Sequence, residues 1–267
     1  MSYTYQDIIG ACQYPIVGRN KSSKKWEVVG TCVLLGLEER YFLLTAAHVM
    51  NERHNVLDNI LWLWNHADGS KTTINEDIVG NPNENTEHWS DYAVIEINIH
   101  EYPNLNPNQA VRLEHVALDL DAQNDAIGFS VTGYPSSQNK IVGNISKQPK
   151  MYTILTSAYG TSKYPTLIEL EFSNEMLAEK TASLPKPQGM SGGGVWKVTE
   201  KSKELKLVGL SVACQMKEKK VLAINIGVIL SMIKFSYSNT ILDFLDLPIQ
   251  IKGDDLIAQI YVPLKTI

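Results

Sequence analysis

The stretch Gln188-Gly189-Met190-Ser191-Gly192-Gly193-Gly194-Val195 sets a single serine among four glycines. Glycine lacks a Cβ, so it adopts positive φ angles and lets a ligand come close to the backbone. Pro185 and Pro187 stiffen the approach to this loop. The run Gly194 to Val198 reads as a strand, so the glycines form a shaped turn and not a flexible tract. In such a turn the N–H groups of Gly189 and Ser191 can converge on one point. Two convergent donors stabilise the oxyanion that forms when a nucleophile attacks a carbonyl. A serine hydroxyl is a weak nucleophile at its own pKa and needs a base. The rest of the chain must therefore supply a histidine, and an acid to orient it.

Two segments upstream fit those roles. In Phe42-Leu43-Leu44-Thr45-Ala46-Ala47-His48-Val49 an apolar strand runs into small residues and then presents a histidine. On its own such a histidine is more often a satisfied core residue. In Ser90-Asp91-Tyr92-Ala93-Val94-Ile95-Glu96-Ile97 an aspartate stands at the mouth of an apolar strand. Alone it reads as a strand-start cap. Together with a histidine it accepts a hydrogen bond from one ring nitrogen and fixes the tautomer. The pattern Gly189-x-Ser191-x-Gly193 also fits the strained elbow of α/β-hydrolases, which supply their residues in the order serine, acid, histidine. All six histidines, ending with His115, precede Ser191, so chain order excludes that arrangement.

Further out, the chain reads as short β runs separated by turn signals. Strands are expected over 26–37, 41–45, 60–64, 71–74, 92–99, 126–133, 151–158, 167–172, 194–198, 205–212 and 221–226, with Asp68-Gly69 as a hairpin turn. Residues 102–108 carry two prolines and three asparagines and read as a linker. Only 228–244 reads as helical. The pattern is all-β with two groups of strands, so it predicts two β-barrels and a short C-terminal helical segment. Residues 1–108 would carry the His48 and Asp91 barrel, and residues 109–267 the Ser191 barrel with the helix.

Composition narrows the function classes. Hydrophobic residues make up 44% and charged residues 20% of the 267, as in a packed globular protein. The formal charge is −5 and the basic clusters, 21–25 and 217–220, are short, which argues against nucleic acid as a partner. The longest nearly apolar run, 221–233, is broken by Asn225 and Ser231 and too short to cross a bilayer, so no membrane is expected. The first residues have no positive leader or apolar core, which leads us to expect a cytoplasmic protein. Three cysteines, Cys12, Cys32 and Cys214, without a Cys-x-x-Cys pair, predict free thiols, no disulfide framework and no metal site. No cofactor is called for.

Thr45-Ala46-Ala47-His48, Asp91-Tyr92-Ala93-Val94 and Gly189-Met190-Ser191-Gly192-Gly193 resemble the three motifs of trypsin-like serine proteases of the chymotrypsin kind, in that family's order. Gly133-Tyr134-Pro135 and Val208-Gly209-Leu210 sit where the family places barrel strands, so the resemblance spans about residues 26–230. It implies two antiparallel six-stranded barrels, a cleft between them, and His48, Asp91 and Ser191 as catalytic residues. Gly189 and Ser191 would form the oxyanion hole, and protein or peptide would be the substrate. The style is closest to intracellular bacterial trypsin-like peptidases, some of which accompany defence systems. A peptide-binding module without activity and an esterase are the rival readings on the same fold.

The chain departs from the family at three places. Val49 replaces the cysteine that follows the histidine in secreted members, and Met190 replaces the acid before the serine. Ile16-Val17-Gly18 looks like a zymogen clip site, but Met190 offers a freed ammonium no carboxylate, so no clip is expected. The resemblance also places a substrate pocket at Pro185, Val212, Ala213 and Cys214, without an acid, which predicts a small or apolar primary side chain. The loss of the acid at Met190 predicts a collapsible loop, weak activity in isolation and an activating partner protein.

Overall fold

A computed structural model describes residues 9–65, 69–80, 90–118, 125–139, 149–160, 162, 164, 166–172, 184–200, 204–245, 247, 249–250 and 259–260. The chain is mostly β, arranged as two curled antiparallel half-barrels with few helices, a chymotrypsin-like fold. The first is built from β1 (Gln13–Arg19), β2 (Trp26–Leu37), β3 (Arg40–Thr45), β4 (Trp62–Trp64), β5 (Lys71–Thr73), β6 (Ile78–Gly80) and β7 (Ala93–Ile97), in the order β5-β4-β1-β2-β3-β7-β6. A two-residue strand, β8 (Val111–Arg112), pairs in parallel with Leu35 and Gly36 of β2. The first sheet therefore includes residues as far along the chain as Arg112. The second contains β9 (Ala126–Gly133), β10 (Tyr152–Thr156), β11 (Leu167–Glu171), β12 (Gly194–Thr199), β13 (Leu205–Gln215) and β14 (Lys220–Asn225), in the order β10-β9-β12-β13-β14-β11.

Burial explains the strand pattern. β2 is buried from Gly30 through Leu37 and is hydrogen-bonded along its two edges to β1 and β3. A fully buried leucine or valine contributes about 1.5–3 kcal/mol. One core joins Leu35, Leu43 and Val94 of the first sheet to Leu207, Leu210 and Ile224 of the second, together with Ile229. A separate core inside the second sheet holds Phe129, Val131, Leu170, Val195 and Met190. Val17, Val28, Trp64 and Tyr134 pack together where the halves meet. Among the described residues no helix is long and apolar enough to cross a membrane.

Most expected strands appear within one to three residues of their read limits. β1, β6 and β8 were not expected, and β1 is the longest of them. Pro15 interrupts the run Gln13 to Arg19, and a proline counts against a central strand. In the structure Pro15 lies just outside the two residues, Ile16 and Val17, that pair with β4. Ile16 is fully buried in mid-strand opposite Gly30. The helical tail also differs. The helix spans Ile226–Ser236, and Ile241–Phe244 is a separate 3-10 turn. Asn225 caps the helix by accepting the Gly227 N–H at 2.8 Å, which starts it two residues early. A positive φ of 59° at Asn239 separates the two pieces. Asp68, half of the expected hairpin turn, lies outside the described residues; Gly69 follows with φ 76°.

Candidate active site

His48 lies on α1 (Ala47–Asn51), a five-residue helix that begins where β3 ends. Ala46 and Ala47, in the turn between the strand and the helix, are buried. Asp91 stands two residues before the start of β7, whose Ala93 pairs with Thr45 at the end of β3. That register puts the carboxylate beside the helix start. His48 Nδ1 lies 2.6 Å from Asp91 Oδ2, and the His48 backbone N–H donates to Asp91 Oδ1 at 3.0 Å. A carboxylate only accepts, so the ring proton sits on Nδ1 and Nε2 is left as a base. The Asp91 side chain is 7% exposed and that of His48 44%, so the acid is enclosed while the imidazole reaches the surface.

The serine loop is organised by its carbonyls. Met190 N–H donates to Pro187 O at 2.9 Å, closing a turn with Gly189 at φ 89°. A turn with positive φ at its third residue demands glycine. Gln188 O accepts from Ser136 N–H at 2.7 Å. Met190 O accepts from the Ser211 hydroxyl and from Gly193 N–H, both at 2.9 Å. In a trans peptide the C=O and N–H point opposite ways. Anchoring the carbonyls of Gln188 and Met190 therefore turns the N–H groups of Gly189 and Ser191 away from those anchors. Among the described residues neither N–H has a hydrogen-bond partner. The loop is thus held by neutral hydrogen bonds, and Met190 fills the second core at 3% exposure. Backbone and hydroxyl anchors thus stand where the missing carboxylate would act.

The structure brings the serine loop to the histidine turn. Gly192 has φ 82°, and a Cβ on it would overlap Thr31 O and Thr45 Oγ1 and crowd Ala46 N. The residue after Ser191 thus touches the one two before His48. Among the described residues the Ser191 hydroxyl makes no hydrogen bond, with His48 or any other group. Hydrogen bonds of this kind are often long without substrate and tighten in the reacting complex.

Beside Ser191 lies a cavity of about 20 Å³, lined by Ser211, Ala213 and Cys214 of β13 and closed by Val131, Phe172 and Val221. Pro187 and Met190 complete the lining. Ala213 and Cys214 stand where the sequence placed them. Pro185 does not line the cavity; Pro187 does, a register two residues nearer the serine. Val212, between Ser211 and Ala213, faces the opposite way, into the main core at 3% exposure, as strand alternation dictates. Ser211 and Phe172 had no local signal in the sequence, since only strand pairing brings them here. Among the described residues no acid lines the cavity and no cluster could hold a metal ion.

No family model and no curated protein matches this chain. Among solved structures it is similar to the serine endoprotease from Yersinia pestis, with 15% identity and a TM-score of 0.48 over 86% of this chain. The chain spans 65% of that protein's length. It is also similar to a structure that describes how aromatic interactions drive the coupled folding and binding of the intrinsically disordered Sesbania mosaic virus VPg protein. There the identity is 16% and the TM-score 0.46, over 84% of this chain and 91% of that one. Neither likeness assigns a role to any residue.

Proposed function

We propose that this chain is a serine endopeptidase that cleaves peptide bonds through an acyl-enzyme. The observation that carries this reading is the pair of unpartnered N–H groups flanking Met190, on a loop whose Gly192 abuts the turn into His48, itself doubly hydrogen-bonded to Asp91. His48 Nε2 takes the proton of Ser191 as its oxygen attacks the carbonyl carbon, then returns that proton to the leaving amine. Asp91 holds the ring and stabilises the imidazolium. Gly189 N–H and Ser191 N–H receive the oxyanion, where loss of one donor typically costs about 2.7–4 kcal/mol. Water then attacks the acyl-enzyme by the same route in reverse. The substrate is a protein or peptide, the setting cytoplasmic, and a role beside a bacterial defence system is the reading by family resemblance. An activating partner protein would raise a weak basal activity by ordering the loop around Gly189.

The deciding experiment is covalent capture. A fluorophosphonate should modify the purified protein at Ser191, located by mass spectrometry of the tryptic peptide. An inactive peptide-binding module would stay unlabelled. Cleavage of unfolded casein by the same preparation separates a peptidase from an esterase.

A further inference from the structure

Thr31 carries no catalytic chemistry, yet each of its polar groups is spent on the proposed active site. It lies within β2 and is fully buried. Its N–H donates to Ser191 O at 2.9 Å. Its hydroxyl donates to Gly189 O at 2.8 Å and accepts the Tyr134 N–H at 3.0 Å. Its carbonyl accepts the Thr45 hydroxyl at 2.7 Å, at the end of the strand that delivers His48. One residue of the first half-barrel thus grips the serine loop at two carbonyls, the Gly133-Tyr134-Pro135 segment at an amide, and the histidine strand at a hydroxyl.

We propose that Thr31 is a positioning residue, an uncharged lock that sets the Gly189 N–H against Ser191 and the His48 turn. The inference rests on the hydrolase reading above. A hydroxyl has one proton to give, and here it goes to the carbonyl of the Gly189–Met190 peptide, adjacent to the amide that would receive the oxyanion. Without it the buried Gly189 O loses this donor, and burial makes an unmet polar group costly. The loop relieves that cost by rotating its peptides, which moves the Gly189 N–H off target. The loss falls on the transition state, because the ground-state carbonyl depends far less on the oxyanion donors.

The test compares Thr31→Val, which keeps the shape and drops the hydroxyl, with Thr31→Ser, which keeps the hydroxyl, and Thr31→Ala, which differs from serine by the hydroxyl alone. Turnover and KM are measured on one peptide ester, with melting temperatures alongside. The expected result is a kcat lower by about 10- to 100-fold in the valine and alanine variants, with KM within about twofold and the serine variant near wild type. Serine falling as far as alanine, or all three matching wild type, overturns the inference. So does a valine and alanine pair that fails to fold where serine folds, since the hydroxyl then serves folding alone. A wild-type protein that neither turns over the ester nor reacts with a fluorophosphonate rejects the hydrolase reading, an outcome distinct from these.

Discussion

The two half-barrels contribute to the site by different means. The first supplies side chains: His48 and Asp91 sit at the ends of regular elements and hold one another directly, at 2.6 and 3.0 Å. The second supplies Ser191 on a backbone-built platform: the loop 188–193 lies between described elements and is aimed through its carbonyls. Side-chain pairing survives small backbone shifts because both partners move with adjacent, paired strands. A loop aimed by its peptides has no such reserve, so glycine geometry and buried anchors carry its precision. The first half should therefore be sensitive to side-chain chemistry, and the second to changes that add or remove no functional group at all.

The strongest challenge to that contrast is removal of the reacting groups themselves. Ser191→Ala and His48→Ala should each lower kcat by several orders of magnitude with the melting temperature nearly unchanged, read by ester turnover and calorimetry. Asp91→Asn should follow at about 10⁴-fold. An amide can donate to the ring and favours the wrong tautomer, although it fits the same space. Turnover above a tenth of wild type in Asp91→Asn would show that the pair at 2.6 Å is merely structural.

Gly192→Ala tests the other half. One methyl, with no functional group lost, would meet Thr31 O and Thr45 Oγ1 at a φ that alanine resists. Overpacking of this kind costs about 1–3 kcal/mol. A displacement of about 1 Å at the nucleophile costs on the order of 10²-fold in rate. The variant should therefore melt lower and turn over about 100-fold more slowly. Wild-type rates in Gly192→Ala would remove the claim that the loop's precision lies in its backbone.

The same contrast explains what the sequence could tell. His48, Asp91 and Ser191 stand in local patterns whose order along the chain limits the choice, and the alternation of apolar runs marks most strands. The anchors leave no such trace. Thr31, Ser136 and Ser211 are ordinary strand or turn residues locally, and only strand register brings them to the loop. β1 was hidden because Pro15 argues against a strand, while the pairing that tolerates it is visible only in three dimensions. Val212 was placed in the pocket beside Ala213, although strand alternation turns these neighbours to opposite faces.

The smallest expected effect separates the thiols of the two halves. Cys12 and Cys32 are buried in the main core of the first half, and Cys214 is half-buried in the wall of the cavity beside Ser191. Burial pushes the Cys214 thiol up to about 11. A raised value means the thiol is protonated at neutral pH, and the thiolate is the reactive species. Alkylation by iodoacetamide at pH 7.5 should be slow. The rate should rise about tenfold per pH unit up to pH 10 without a plateau, because the thiolate fraction does so until the pKa is approached. Peptide mapping of the native protein should find the label at Cys214 and not at Cys12 or Cys32. A cavity of about 20 Å³ holds roughly one water, so an added carboxamidomethyl group fills it. The labelled enzyme should lose activity on peptides with valine at the primary position while still reacting on those with glycine, which place nothing there. Equal loss on both would move the primary pocket away from Cys214, and rapid labelling at pH 7.5 would show that the wall is more open to water than its burial allows.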